Sequence, residues 1–127
     1  MRYVFVILIV FFTFSCNKNN DRDKTLTQRQ MEKVEGPASG NINQTLPLTV
    51  YWYSTSGSCD VLEKFEETKQ GSVLFIQAFG FLNGGICTMD APIKTKTYNF
   101  ISTSAGTFEL RFLNKDSSYI AHTVTIN

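Results

Sequence analysis

The chain has 127 residues, with 12 Lys and Arg against 11 Asp and Glu and a formal net charge of +1. So small a basic excess provides no stripe to neutralise phosphates, which excludes nucleic acid as a partner. With one histidine and three cysteines, no metal site with ligand spacing and no nucleophile with an assignable base can be drawn.

The chain opens on a positive residue, Arg2, followed by an unbroken apolar run from Tyr3 to Phe12 and then Thr13-Phe14-Ser15. A run of about 10–13 residues falls short of the roughly 20 that span a bilayer, so it reads as a signal-peptide core and not as a membrane helix. The composition turns polar at once from Asn17 to Lys24, which places Cys16 at the boundary. The leader resembles that of bacterial lipoproteins: Ser15 fills the small position before the cysteine, although Thr13 and Phe14 depart from the commoner residues there. Endings of the Ser-Cys type are found in lipoproteins of the Bacteroidota. The resemblance implies cleavage of residues 1–15, a diacylglyceryl thioether on Cys16, and attachment to a membrane through acyl chains, palmitate among them. Several chains hold far more firmly than one. An ordinary secreted protein, with Cys16 discarded or idle, is the alternative. Cleavage would remove Arg2 and leave a neutral mature chain of 11 basic and 11 acidic residues.

From Asn17 to Glu35 the apolar residues are Leu26, Met31 and Val34. They form no stripe wide enough to bury, so residues 16–35 read as a lipidated terminus and flexible tether, with at most a short helix over Thr27 to Val34. Such a coil would hold the domain on the order of 25 Å from the lipid. The globular part, residues 36–127, would begin at Gly36-Pro37 and has room for one small core.

Residues 36–127 read as strands, because apolar side chains recur at every second position and Gly, Asn, Ser or Pro clusters break the runs. A short edge strand is expected at Ala38 to Asn43. Leu48, Val50 and Trp52 share one face of a strand over Leu46 to Tyr53. Val61 to Thr68 is ragged: strand is preferred, but the spacing of Val61, Leu62 and Phe65 also suits two helical turns over residues 61–70. Val73 to Phe81 is apolar on both sides, as for a central strand covered on both faces. Further strands follow at Thr95 to Ser102, at Thr107 to Leu113, and at a last segment marked by Ile120, Val124 and Ile126. About seven short strands at regular spacing favour an all-β, two-layer antiparallel sandwich of immunoglobulin-like type.

Gly57-Ser58-Cys59, Ile86-Cys87-Thr88, Lys94 to Phe100 and Ala105 to Phe112 are together similar to stretches of a family of small Bacteroidota lipoproteins with an immunoglobulin-like domain. That family carries no activity that could be transferred. If Cys16 bears lipid, Cys59 and Cys87 remain as an even pair, and a structural disulfide is the expectation for a chain outside the cytosol. Two separate buried thiols are the alternative.

His122 falls in register with Ile120 and Val124 and reads as a strand residue. Asp60, Glu63, Glu66 and Glu67 lack the ligand order of a calcium loop and read as a solvated charged face. Tyr51, Tyr53 and Phe75 point opposite to the core-facing side chains of their strands, and burial between the layers is the preferred reading for them; left exposed, they form the candidate aromatic binding surface, able to stack on a glycan or a protein partner. No cofactor is implied.

The expectation is a non-enzymatic, lipid-anchored envelope protein that presents a disulfide-stapled sandwich for binding or adhesion. The outer membrane is the expected site, with the periplasmic and surface faces both open, because Asn17 to Asn20 postpones the acids to Asp21 and Asp23. The alternative is a protease-inhibitor-like immunoglobulin-fold module that presents Ser54 to Ser58 or Asn83 to Gly85 from one end.

Overall fold

The computed structural model describes residues 24–89 and 92–127. The leader, the lipidation site Cys16 and the first part of the expected tether lie outside the described residues. Nine strands follow in order: β1 (Thr27–Gln28), β2 (Met31–Glu35), β3 (Ser39–Gly40), β4 (Leu46–Tyr53), β5 (Asp60–Gln70), β6 (Val73–Leu82), β7 (Ile93–Phe100), β8 (Gly106–Leu113) and β9 (Tyr119–Ile126). Between β4 and β5 lies a single 3-10 turn, Gly57–Cys59. The protein is all-β, and its two sheets pack face to face as a sandwich.

The smaller sheet runs β2-β4-β7, and the larger runs β5-β6-β8-β9-β3, with β1 beside the C-terminal end of β6. Most pairings are antiparallel, as expected. Two are parallel, β6 with β8 and β3 with β9. The first follows from the chain path, since β7 crosses to the other sheet between β6 and β8, and parallel neighbours need such a crossover.

The alternation visible in the sequence becomes the core. Leu46, Leu48, Val50 and Trp52 of β4 and Tyr98 and Phe100 of β7 face Leu74, Ile76 and Ala78 of β6, Phe108, Leu110 and Phe112 of β8, and Val124 and Ile126 of β9. Phe65, Tyr98 and Phe112 meet edge to face, with centroids 5.3 and 5.5 Å apart, the geometry that the ring quadrupoles favour. The Tyr98 hydroxyl donates to Glu67 Oε1 at 2.6 Å. Burial first, and then this bond to a carboxylate, raise the phenol well above its ordinary value.

The domain begins earlier than Gly36. Residues 27–35, read from the sequence as tether or transient helix, are the strands β1 and β2. Met31 is only 2% exposed and Val34 packs against the core, so two apolar residues suffice to seat the segment. Backbone bonds complete it: Arg29 N–H donates to Ala78 O at 2.8 Å, and Tyr53 N–H to Gln30 O at 2.9 Å. Between Gln28 and Met31 the chain leaves the larger sheet and joins the smaller one. β2 is an edge strand, and its exposed Glu32, Lys33 and Glu35 are the charges that keep such an edge from pairing further.

Residues 61–70 are strand throughout. Leu62 lies opposite Gly80 and Phe65 opposite Ala78, with the register shifting between Leu62 and Lys64. This β-bulge inserts one residue, so side chains three apart both point inward, and the helix-like spacing is its signature. The lysines of β7 satisfy carbonyls here. Lys96 Nζ donates to Leu62 O at 2.7 Å and Glu63 O at 3.1 Å, and Lys94 Nζ to Asp60 O at 2.6 Å and to Gly57 O.

The central strand β6 is fully covered along one face. Leu74, Ile76 and Ala78 are buried, whereas Val73, Phe75, Gln77 and Phe79 on the outer face are half-exposed; Phe81, at the end of that outer row, is buried, with the Lys24 ammonium 4.4 Å from its ring centroid. No layer lies above them among the described residues.

Candidate binding surface

Strand alternation sends Tyr51 and Tyr53 to the outer face of the smaller sheet and Phe75 to the outer face of the larger one. The three aromatics therefore lie on opposite sides of the sandwich and do not form one platform. They are nevertheless not sandwiched between the layers: Tyr51 and Phe75 are half-buried, and Tyr53 is 41% exposed.

Tyr51 is engaged locally. Its hydroxyl donates to Glu35 Oε2 at 2.9 Å, the Lys33 ammonium lies 4.4 Å from its ring centroid, and Lys33 pairs with Glu35 at 3.0 Å. Glu35 is lowered by Lys33 and then Tyr51, while its own bonds raise Lys33 and the Tyr51 phenol. Both charged partners come from β2, the strand missed in the sequence. Tyr53 lies opposite Ile93, which is also exposed.

Phe75 has the more developed surroundings. Parallel pairing sets it opposite Arg111 of β8, whose guanidinium carbon lies 5.7 Å from the Phe75 centroid and 4.9 Å from that of Tyr119. The cation thus contacts two aromatic rings, a geometry that attracts it to their negative faces. Glu109, two residues away on the same face, accepts from Arg111 Nε at 2.8 Å and from Nη2 at 3.2 Å. These bonds lower the Glu109 carboxyl and raise Arg111. The fork holds the guanidinium plane in place and makes a half-exposed patch that can both stack and donate hydrogen bonds. Phe79 and Leu113 extend it. Arg111 and Tyr119 were not singled out from the sequence. The Arg in the alternating run Phe108-Glu109-Leu110-Arg111 signals an outward residue, but its aromatic neighbours come from other strands.

A third assembly occupies the end of the sandwich where β4 meets β5 and β6 meets β7. Cys59 and Cys87 are joined by a disulfide, with Cα atoms 5.2 Å apart. Ser58 N–H donates to Thr88 O at 3.3 Å, and Thr88 N–H to Ser58 Oγ at 3.0 Å. The loops Ser54 to Ser58 and Asn83 to Gly85 thus share one end. Beside them is a cleft of about 450 Å³, lined by Lys24, Thr25, Thr27, Phe81, Leu82, Asn83 and Gly84.

Asp60 departs from the solvated acidic face expected for it. It is buried, pairing through Oδ1 with Arg29 Nη2 at 2.7 Å and Nε at 2.8 Å, while Oδ2 accepts from Thr55 N–H at 2.7 Å and Thr55 Oγ1 at 2.9 Å. Burial alone would raise its pKa, but the Thr55 and Arg29 contacts outweigh it and leave the carboxyl below its ordinary value. Glu63, Glu66 and Glu67 are exposed, and among the described residues no three His, Cys, Asp or Glu side chains are placed to share a metal ion. His122 lies on the inner side of β9 opposite Leu110, with Nε2 3.1 Å from Pro37 O. Trp52 is in the core, its Nε1 without a hydrogen-bond partner.

No protein-family model, curated protein or solved structure matches the chain.

Proposed function

We propose that the chain is a non-enzymatic, lipid-anchored envelope protein of the outer membrane, whose sandwich presents the outer face of its larger sheet to a protein or glycan partner. The observation carrying this reading is the Cys59–Cys87 bridge, which takes both downstream cysteines and leaves Cys16 to the leader. Disulfides persist in oxidising compartments, and the apolar leader is the route to one. The Phe75-Arg111-Tyr119 patch is the surface that suits a partner, since rings held by a fixed cation stack at small entropic cost. The loops that an inhibitor would present lie instead at the end that holds Lys24, the end that an anchor on Cys16 would bring nearest the membrane, so the sheet face is the better-placed surface.

Labelling of cells with an alkyne fatty acid tests the anchor. The mature protein is expected in the membrane fraction carrying label, and Cys16→Ala is expected to lose both. Recovery of the unprocessed chain from the cell interior with all thiols reduced would overturn the reading. For the partner surface, a glycan array and a pull-down with the intact protein and with Arg111→Ala separate binding at this face from binding elsewhere.

A further inference from the structure

We propose that the disulfide-bearing end of the sandwich seats its loop tip, Leu82 to Met89, in the interface of the phospholipid bilayer that anchors the chain. The proposal rests on the lipid-anchored reading above.

Ile86 and Met89 are 102% and 91% exposed, the two most exposed large apolar side chains among the described residues, and Leu82 is 55% exposed. The run Leu-Asn-Gly-Gly-Ile-Cys-Thr-Met contains no ionisable side chain once Cys87 is bridged. The bridge and the two Ser58–Thr88 bonds hold the loop between the apolar residues, so Ile86 and Met89 are displayed rather than folded back. Apolar side chains displayed on a disulfide-held run, in a loop whose one ionisable side chain is Asp90, are suited to the headgroup and acyl boundary.

The path of the chain selects the bilayer as the occupant. The described chain begins at Lys24, which lines the same cleft as Leu82, Asn83 and Gly84. The described chain therefore begins at the end that carries the tip. Because β1 and β2 lie within residues 27–35, only seven residues, eight Cα–Cα steps, separate Lys24 from Cys16. Fully extended they reach about 26–29 Å, and as a coil about 14–17 Å, less than the standoff that a tether of residues 16–35 implies. The Lys24 ammonium, 4.4 Å from the Phe81 centroid, sits at this end and suits the phosphates of anionic headgroups. The turn at Gly71 and the C-terminal Asn127 lie at the opposite end of the strands.

The test uses acylated full-length mature protein reconstituted in phosphatidylethanolamine and phosphatidylglycerol vesicles, with and without brominated acyl chains. Ile86→Trp and Met89→Trp report on the tip, and Thr103→Trp on the far end, against the background of Trp52. Floating vesicles are expected to carry all variants, with the tip tryptophans blue-shifted and quenched about threefold more than the far-end one, as interfacial burial requires. Flotation with equal quenching at both ends would overturn the tip proposal and leave the anchor standing. Recovery from the cells of mature protein with Cys16 unacylated and unable to float would overturn the anchored reading and the proposal with it. A blue shift that follows protein concentration and not lipid would mark a second copy on the tip, and would also overturn it.

Discussion

Asp60→Ala is the substitution to which this fold should be most sensitive for its size. The carboxylate receives four contacts of 2.7–2.9 Å, two from Arg29 and two from Thr55, and its side chain is fully buried, with Arg29 nearly so. Thr55 is exposed and its donors can turn to water, so the cost falls mainly on the buried guanidinium, which keeps Thr27 O and Oγ1 as acceptors but loses its counter-charge. Breaking one side of a buried pair costs about 3–5 kcal/mol, and Asp60→Ala is expected within that range. Arg29→Ala should cost less, about 2–3 kcal/mol, because Asp60 keeps both Thr55 donors. The double variant Arg29→Met/Asp60→Leu, which removes both charges, should recover to within about 1–2 kcal/mol of the parent. Urea unfolding followed through the fluorescence of Trp52, the single tryptophan, measures all three. A loss below about 1 kcal/mol for Asp60→Ala, or a double variant worse than either single one, would refute the desolvated pair. The same pair sets a pH dependence. The folded carboxyl lies below its unfolded value, so its contribution is complete above the ordinary carboxylate range and is lost as pH falls through the lowered folded value. Asp60→Asn should flatten that acid limb.

Three further outcomes follow from the geometry. Met31→Ala, at a side chain 2% exposed, is expected to cost about 2–4 kcal/mol, and a chain beginning at Gly36 should fail to give a cooperative urea transition. Replacing both Cys59 and Cys87 with alanine, which opens a loop of sequence separation 28, should lower stability by about 3.6 kcal/mol on the chain-entropy account; an unchanged urea midpoint would contradict this. Gly80→Ala should destabilise the β5–β6 pair, since an added Cβ would lie 2.3 Å from the Val61 carbonyl oxygen, and backbone at that distance must move. Its reading is a lowered melting temperature with early amide exchange along β5.

Much of the sandwich was legible because pleating is local. A strand with one wet face must alternate, and Leu46 to Tyr53 and Gly106 to Leu113 do so in the sequence as in the fold, whereas Val73 to Leu82 alternates only in its burial. The binding surface was legible only in part. Phe75 could be set opposite Leu74 and Ile76 from its own strand, but the exposure of its face, and its separation from Tyr51 and Tyr53, depend on which sheet each strand joins.

From sequence alone come the all-β class, the core faces of β4, β7 and β8, and the pairing of Cys59 with Cys87 as an expectation, since each follows from the residues of one segment or from a count. The fold alone decides that residues 27–35 belong to the domain, that a bulge turns Leu62 and Phe65 inward together, that Arg29 meets Asp60, and that Arg111 lies between Phe75 and Tyr119. Each of these joins residues from different strands. Such contacts are energetic consequences of how the sheets pack, and they leave no periodicity in the separate segments that supply them.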